Sequence, residues 1–275
     1  MGDSAVNERI RIKLLLVISF AVLSGTSLMS SATFAENGAG KSVEMFEECL
    51  ALAKQGDAEA RYRLSFMYRT GSGVPQNHKK AIKWIRKAAK QEYACAQTDL
   101  GIAYDTGKGG VQQNYKKAAK WYRKAVEQGH AKAQCNLGNM YNQGKGVPQD
   151  YNEAAKWYRK AAEQGVSDAQ NSLGYMYNQG KGVPQDYKEA AKWYRKAAEQ
   201  GLAIAQLNLG IRYAQGEGVL QDYVESYAWL NISAAQGRGN AKHRDSVAKR
   251  LSPDALALAQ ELSEEYYKKY VEPFQ

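Results

Sequence analysis

Within residues 164–199, apolar side chains recur at every fourth position, at Ala169, Leu173 and Tyr177, with polar residues between them. That spacing places the three on one face of an amphipathic helix. The pattern stops at Asn178-Gln179-Gly180-Lys181-Gly182-Val183-Pro184. Glycine there permits positive φ, and proline cannot continue a helix. Asp186 then stands where a helix N-cap is needed. After it, Tyr187, Ala190, Ala191, Tyr194 and Ala197 share one face of a second helix. The pattern predicts a helix-turn-helix unit with helices of about 11–13 residues, roughly 16–20 Å each.

The unit recurs. Trp84, Trp121, Trp157, Trp193 and Trp229 are spaced by 37, 36, 36 and 36 residues, the extra residue being Gly110 in the second turn. On that period the chain divides into 55–90, 91–127, 128–163, 164–199 and 200–235. A small residue occupies one interior position of each first helix: Ser65, Gly101, Gly138, Gly174 and Gly210. Glycine inside a helix costs up to about 1 kcal/mol, so its recurrence implies a second helix crossing too closely for a side chain. One pair of short helices cannot bury its apolar face, whereas stacked pairs can. The expected fold is all-α, a right-handed αα-superhelical solenoid of about five 36-residue repeats.

The fourth copy, QGVSDAQNSLGYMYNQGKGVPQDYKEAAKWYRKAAE, carries the motif shared by the set. Its A-Q-x-x-L-G-x-x-Y, G-x-G-V, D-Y-x-x-A and W-Y-R-K-A-A elements resemble the Sel-one-like repeat family, longer-turn relatives of tetratricopeptide repeats. The resemblance spans 55–235 and is nearly letter for letter from Ala131 to Gly201. It implies an αα superhelix used for protein–protein recognition, often in exported bacterial proteins. It carries over no catalytic residue and no cofactor.

The ends differ from the repeats. Arg9, Arg11 and Lys13 precede an apolar run from Leu14 to Leu23, and small residues lead to Ser31-Ala32-Thr33-Phe34-Ala35. These are the parts of a signal peptide over 1–35, cleaved after Ala35, and the apolar run is shorter than the roughly 20 residues of a membrane span. A periplasmic or secreted protein is expected, with no transmembrane span in the mature chain. Residues 36–54 read as an N-terminal half-repeat, with Phe46, Leu50 and Ala53 facing inward. Residues 236–275 read as capping helices over the apolar Tyr227, Leu230 and Ile232. One runs from Ala241 to Arg250, and a second from about Asp254 to Tyr270 follows an N-cap at Ser252-Pro253.

Composition argues against chemistry. The three histidines, His78, His130 and His243, have no metal-ligand spacing, and neither HExxH nor CxxC occurs. His78 replaces the tyrosine found at 115, 151, 187 and 223, and so reads as a core substitute. Ser246-x-x-Lys249 matches the first motif of penicillin-recognising enzymes without its partner motifs. A weak β-lactam hydrolase, as proposed for cysteine-rich relatives, is therefore the alternative of a different class. Cys49, Cys95 and Cys135 occupy three different repeat positions; free thiols are expected, with Cys95–Cys135 the one conceivable bridge.

Two surfaces remain. The net charge is +10, and the second helices repeat basic trios that include Arg123 and Lys124, Arg159 and Lys160, and Arg195 and Lys196. Spacings of three and four align them into a ridge. That ridge is either a solvated face partly neutralised by Glu127, Glu163 and Glu199 one turn on, or a surface for anionic polymers. Nucleic acid is disfavoured by the export segment. The concave wall of first helices is the stronger candidate. Its variable positions are Arg63, Phe66, Asp99, Asn136, Asn139, Ser172, Tyr175 and Asn208; Met67, Met140 and Met176 beside them, like Phe66, either grip apolar groups or fill the core between repeats. Asparagine both donates and accepts, which suits an extended peptide. The expected function is a non-enzymatic scaffold or adaptor that binds a protein or peptide there.

Overall fold

The structure, a computed structural model, describes residues 31–237 and 241–275, with side chains from residue 41 onward. The segment read as a signal peptide lies outside the described residues, apart from the helical backbone of residues 31–35.

Helix α1 (Ser31–Gln55) precedes five helix pairs. These are α2 (Ala58–Thr70) with α3 (His78–Lys90), α4 (Ala94–Thr106) with α5 (Tyr115–Glu127), and α6 (Ala131–Gln143) with α7 (Tyr151–Glu163). The last two are α8 (Ser167–Gln179) with α9 (Tyr187–Glu199), and α10 (Ala203–Gln215) with α11 (Tyr223–Ala235). Two helices follow, α12 (Ala241–Ala248) and α13 (Pro253–Tyr270), then a 3-10 turn at Glu272–Phe274. From α1 to α11 each helix packs on the helices before and after it in the chain, and α12 and α13 both pack on α11. The described residues thus form an all-α stack of hairpins.

Local chemistry sets the boundaries. The second helices begin at Asn77, Asn114, Asp150, Asp186 and Asp222, whose side chains accept first-turn backbone N–H groups; Asp186 takes those of Lys188 at 2.9 Å and Glu189 at 3.0 Å. The first helices end with a second repeated device. The glutamine before each N-cap donates back to a carbonyl of the last turn, as Gln149 does to Asn142 at 2.9 Å and Gln185 to Asn178 at 2.9 Å. A helix terminus otherwise leaves such carbonyls unpaired. Between them, Gly182 has φ +67° and sits so close to the preceding repeat that a Cβ would fall 2.0 Å from the Tyr151 carbonyl oxygen.

The small residues do mark the helix crossings. A Cβ on Gly101, Gly138 or Gly174 would lie 2.5, 2.8 or 2.8 Å from the ring of Tyr122, Tyr158 or Tyr194, and one on Gly210 would lie 2.7 Å from Leu230. Each glycine therefore makes room for a large side chain of the partner helix.

Between repeats, the core contains a polar thread. Gln97, Gln134, Gln170 and Gln206 are 0–5% exposed. Their Oε1 atoms accept from Gln128, Gln164, Gln200 and Gln236 at 2.7–2.8 Å. Gln97, Gln170 and Gln206 also donate to the carbonyls of Ala89, Ala162 and Ala198 in the preceding repeat. A buried amide left unbonded costs free energy, and the bonds that satisfy these glutamines run between repeats, so they help to fix the stacking of one hairpin on the next.

Both ends are covered. Phe46, Cys49 and Ala53 of α1 pack with Leu64, Met67 and Tyr68 of the first pair. At the other end Val247 of α12 and Ala259 of α13 cover Tyr227 and Leu230. Trp229, 1% exposed, has its ring centroid 4.6 Å from that of Tyr266 and 5.4 Å from that of Tyr270. Ser252 caps α13 by accepting the Ala255 N–H at 3.2 Å. Among the described residues, no helix is long and apolar enough to cross a membrane.

One core expectation is corrected. His78 is exposed, and its counterparts Tyr115, Tyr151, Tyr187 and Tyr223 are only half-buried or exposed. The first residue of each second helix lies at the rim, where Lys145 and Lys181 of the following turns reach over Tyr115 and Tyr151 at 5.5 and 5.7 Å.

Candidate functional site

All eight residues expected on the inner wall lie on first helices, and the structure brings four of them together. Asn139, Ser172, Tyr175 and Asn208 line a pocket of about 330 Å³ with Asn142, Asn171, Tyr158, Met176 and Ile204. The pocket crosses α6, α8 and α10, the first helices of three successive repeats. No charged side chain lines it; its polar groups are amides and hydroxyls.

Internal bonds aim these groups. Tyr158 Oη donates to Asn139 Oδ1 at 2.7 Å, which leaves the Asn139 amide N–H groups for other partners. Asn208 Nδ2 donates to Asn171 Oδ1 at 3.0 Å, tying α10 to α8. Tyr175 and Ile204 are 45% and 39% exposed and give the pocket apolar edges. Lys181 stands over the Tyr175 ring at 5.7 Å.

The other four residues lie outside this pocket. Arg63 pairs with Glu59 at 2.6 Å on its own helix. Phe66 is exposed, with the Arg69 guanidinium 5.0 Å above its ring. Asp99 accepts from Tyr62 Oη at 3.1 Å. The Asn136 Nδ2 atom is buried without a hydrogen-bond partner.

Of the two readings of the methionines, the structure bears out the core. Met67, Met140 and Met176 are 5%, 3% and 1% exposed and fill the cores between helices, as unbranched apolar chains do; Met176 forms the pocket floor. Sequence reasoning missed Asn171 and Ile204. The row Tyr62, Thr98, Cys135, Asn171, Leu207 differs in every copy, and that variability was the signal available for Asn171.

On the basic ridge, Arg123, Arg159, Lys160 and Lys196 are exposed, and the expected neutralising glutamates are not the arginines' partners. Arg123 and Arg159 donate to the hydroxyls of Tyr141 and Tyr177, on the next repeat's first helix, at 3.2 and 2.6 Å. Arg195 makes the equivalent bond to Tyr213. Lys124, Lys160 and Lys196 lie over the rings of Trp121, Trp157 and Trp193 at 5.7, 4.8 and 4.4 Å. Among the described residues no ion pair joins Glu127, Glu163 or Glu199 to these arginines. A phenol of the neighbouring repeat takes the guanidinium instead, so each arginine fastens two repeats.

All three thiols are free, so the conceivable Cys95–Cys135 bridge is not formed. Cys135 is buried, which pushes its pKa up to about 12. Cys95 is half-buried, with its Sγ 3.6 Å from Nε2 of His130. Burial lowers the His130 pKa and favours the neutral ring. Ser246 and Lys249, the two fixed letters of the penicillin-recognition motif, are exposed at the C-terminal end.

Stacked helix pairs, a repeated turn and a wall of first helices define an αα-solenoid repeat protein. The chain belongs to the Sel1 repeat family, whose model matches residues 58–93, 96–130, 131–166, 167–202 and 203–237. Sel1 repeat proteins are generally protein-interaction scaffolds. The chain is similar to a crystallised Sel1 repeat protein from Oxalobacter formigenes, at 32% identity and a TM-score of 0.66, over 86% of this chain and 97% of that one. It is also similar to a protective antigen present in uropathogenic Escherichia coli strains and displaying an SLR fold, at 31% identity and a TM-score of 0.59. That match covers 85% of this chain and spans 58% of the antigen's length. No curated protein matches.

Proposed function

We propose that this protein is an exported, non-enzymatic scaffold that holds an extended segment of another protein across α6, α8 and α10. The supporting observation is the uncharged pocket in which four asparagines from three first helices converge. Amides that both donate and accept match the alternating N–H and C=O groups of a peptide backbone, while Tyr175 and Ile204 offer apolar contact to its side chains. A lining without charged side chains suits neutral backbone. On this reading the basic ridge serves to join repeats rather than to hold anionic polymers.

The test uses peptides selected from a random displayed library on the full chain. Asn171→Ala combined with Asn208→Ala removes both ends of one hydrogen bond, so neither amide is left facing a lost partner. The variant is expected to bind those peptides at least tenfold more weakly, about 1.4 kcal/mol, at an unchanged melting temperature. Undiminished binding by the folded variant overturns the reading.

Export rests on the basic, apolar and small-residue order of residues 9–35. A fusion of residues 1–40 to a phosphatase that is active only outside the bacterial cytoplasm is expected to show activity. The same fusion with Leu15 and Leu16 replaced by arginine is expected to show none, and equal activity in the two removes the export claim.

A further inference from the structure

Two metal-binding side chains from neighbouring repeats meet on the N-terminal side of the pocket. Cys95, in the first turn of α4, places its Sγ 3.6 Å from Nε2 of His130, the residue that precedes α6. The histidine's other nitrogen is occupied: Nδ1 lies 2.9 Å from Thr98 Oγ1. That hydroxyl donates its own proton to the Ala94 carbonyl at 2.9 Å, so it accepts from Nδ1–H. The proton therefore sits on Nδ1, and the Nε2 lone pair faces the sulfur. A ligating histidine is usually held this way, by an oxygen acceptor behind it that fixes tautomer and orientation.

The separation is that of a thiol–imidazole hydrogen bond and is also the one that tetrahedral coordination requires. At a Zn–S distance of about 2.3 Å and a Zn–N distance of 2.0–2.1 Å, donors 3.6 Å apart subtend an angle of about 110° at the metal, the tetrahedral value. A linear ion at the same bond lengths would need the donors about 4.3 Å apart. The surroundings carry both signs of charge: Asp99, one turn on from Cys95, is held by Tyr62 Oη at 3.1 Å, and Lys132 lies two residues on from His130. Access is open, since Cys95 and His130 are both half-buried. Cys95 holds the repeat position that Ile204 holds three repeats later, where it lines the pocket.

We propose that Cys95 and His130 are two corners of a tetrahedral Zn²⁺ site on the first-helix wall. Among the described residues no three such side chains converge, so the remaining two positions go to water or to donors of a bound protein. Binding is a simple exchange in which Zn²⁺ takes the proton's place on the sulfur: the S–H bond breaks, the S–Zn bond forms, the proton leaves to solvent, and no electron moves. The site stands whether or not the pocket binds peptide.

Co²⁺ is the probe, added to the full chain with its thiols reduced, because it reports sulfur ligation and tetrahedral geometry by absorption. One ion per chain is expected, with a sulfur-to-cobalt band in the near ultraviolet and intense visible bands, all displaced by Zn²⁺. Cys95→Ser is expected to abolish them and Cys135→Ala to leave them unchanged. His130→Gln is expected to weaken binding at least tenfold. Thr98→Val, which keeps the side-chain shape and both ligands, is expected to weaken it roughly tenfold with the sulfur band retained at saturation. Melting curves without metal verify that each variant is folded. The proposal is overturned if the reduced wild type gives no sulfur-to-cobalt band, or if the band survives in folded Cys95→Ser.

Discussion

Trp229→Ala is expected to destabilise the chain by about 3–5 kcal/mol, the range for removing a large buried aromatic side chain. The same change at Trp84 should cost clearly less. The two tryptophans hold the same position in the repeat, but Trp84 is half-buried whereas Trp229 is 1% exposed. Helix α13 makes the difference, laying Tyr266 and Tyr270 against the last tryptophan. Polar contacts reinforce the packing. Trp229 Nε1 donates to Glu225 Oε2 at 3.0 Å, and Tyr266 Oη donates to Glu225 Oε1 at 3.0 Å. Truncation to alanine therefore opens a cavity and removes one of the two donors to Glu225. Urea unfolding of the two variants checks this, and equal losses would show that α13 is not the cap described above.

The second large effect lies at the helix crossings. Gly174→Val is expected to cost about 2–3 kcal/mol, since forcing extra carbon into a packed interior typically costs about 1–3 kcal/mol. The first added carbon alone would lie 2.8 Å from the Tyr194 ring and 3.2 Å from the Ala190 carbonyl oxygen. Gly174→Ala is the more discriminating variant. Helix propensity by itself favours alanine over glycine by up to about 1 kcal/mol, so a surface glycine would gain from the change. Here the steric term should win and stability should fall. A double-mutant cycle with Tyr194→Ala isolates the contact: the pair should lose less than the sum of the single variants. Stabilisation by Gly174→Ala would mean that the helices do not cross at this residue.

The fold was legible because its unit is short and written five times. The stripe Ala169, Leu173, Tyr177, the break at Gly180–Pro184 and the cap at Asp186 each act within a few residues, and repetition separated them from chance. The glycine at 101, 138, 174 and 210 was legible too, because its cost inside a helix is local and required a distant reason. Half of the expected wall residues meet in one pocket, since a first helix shows the same face in every repeat. The exceptions have a common cause. Met176 reads from sequence like its neighbour Tyr175, yet one fills the core and the other faces solvent, because adjacent helical positions differ by about 100°. The arginines' bonding partners were not legible, because nothing within their own helix suggests a tyrosine 18 residues on.

What the amino-acid order settles by itself is the number of hairpins, where each helix starts and stops, and where two helices cross. Those are matters of backbone conformation, capping and side-chain volume, decided over fewer than ten residues. How the polar groups are spent is decided only when one repeat lies on the next. Arg159 meets Tyr177 across 18 residues, Gln164 meets Gln134 across 30, and Cys95 meets His130 across 35. A hydrogen bond forms within a window of a few tenths of an ångström, and only the packed stack brings residues so far apart in the chain into that window.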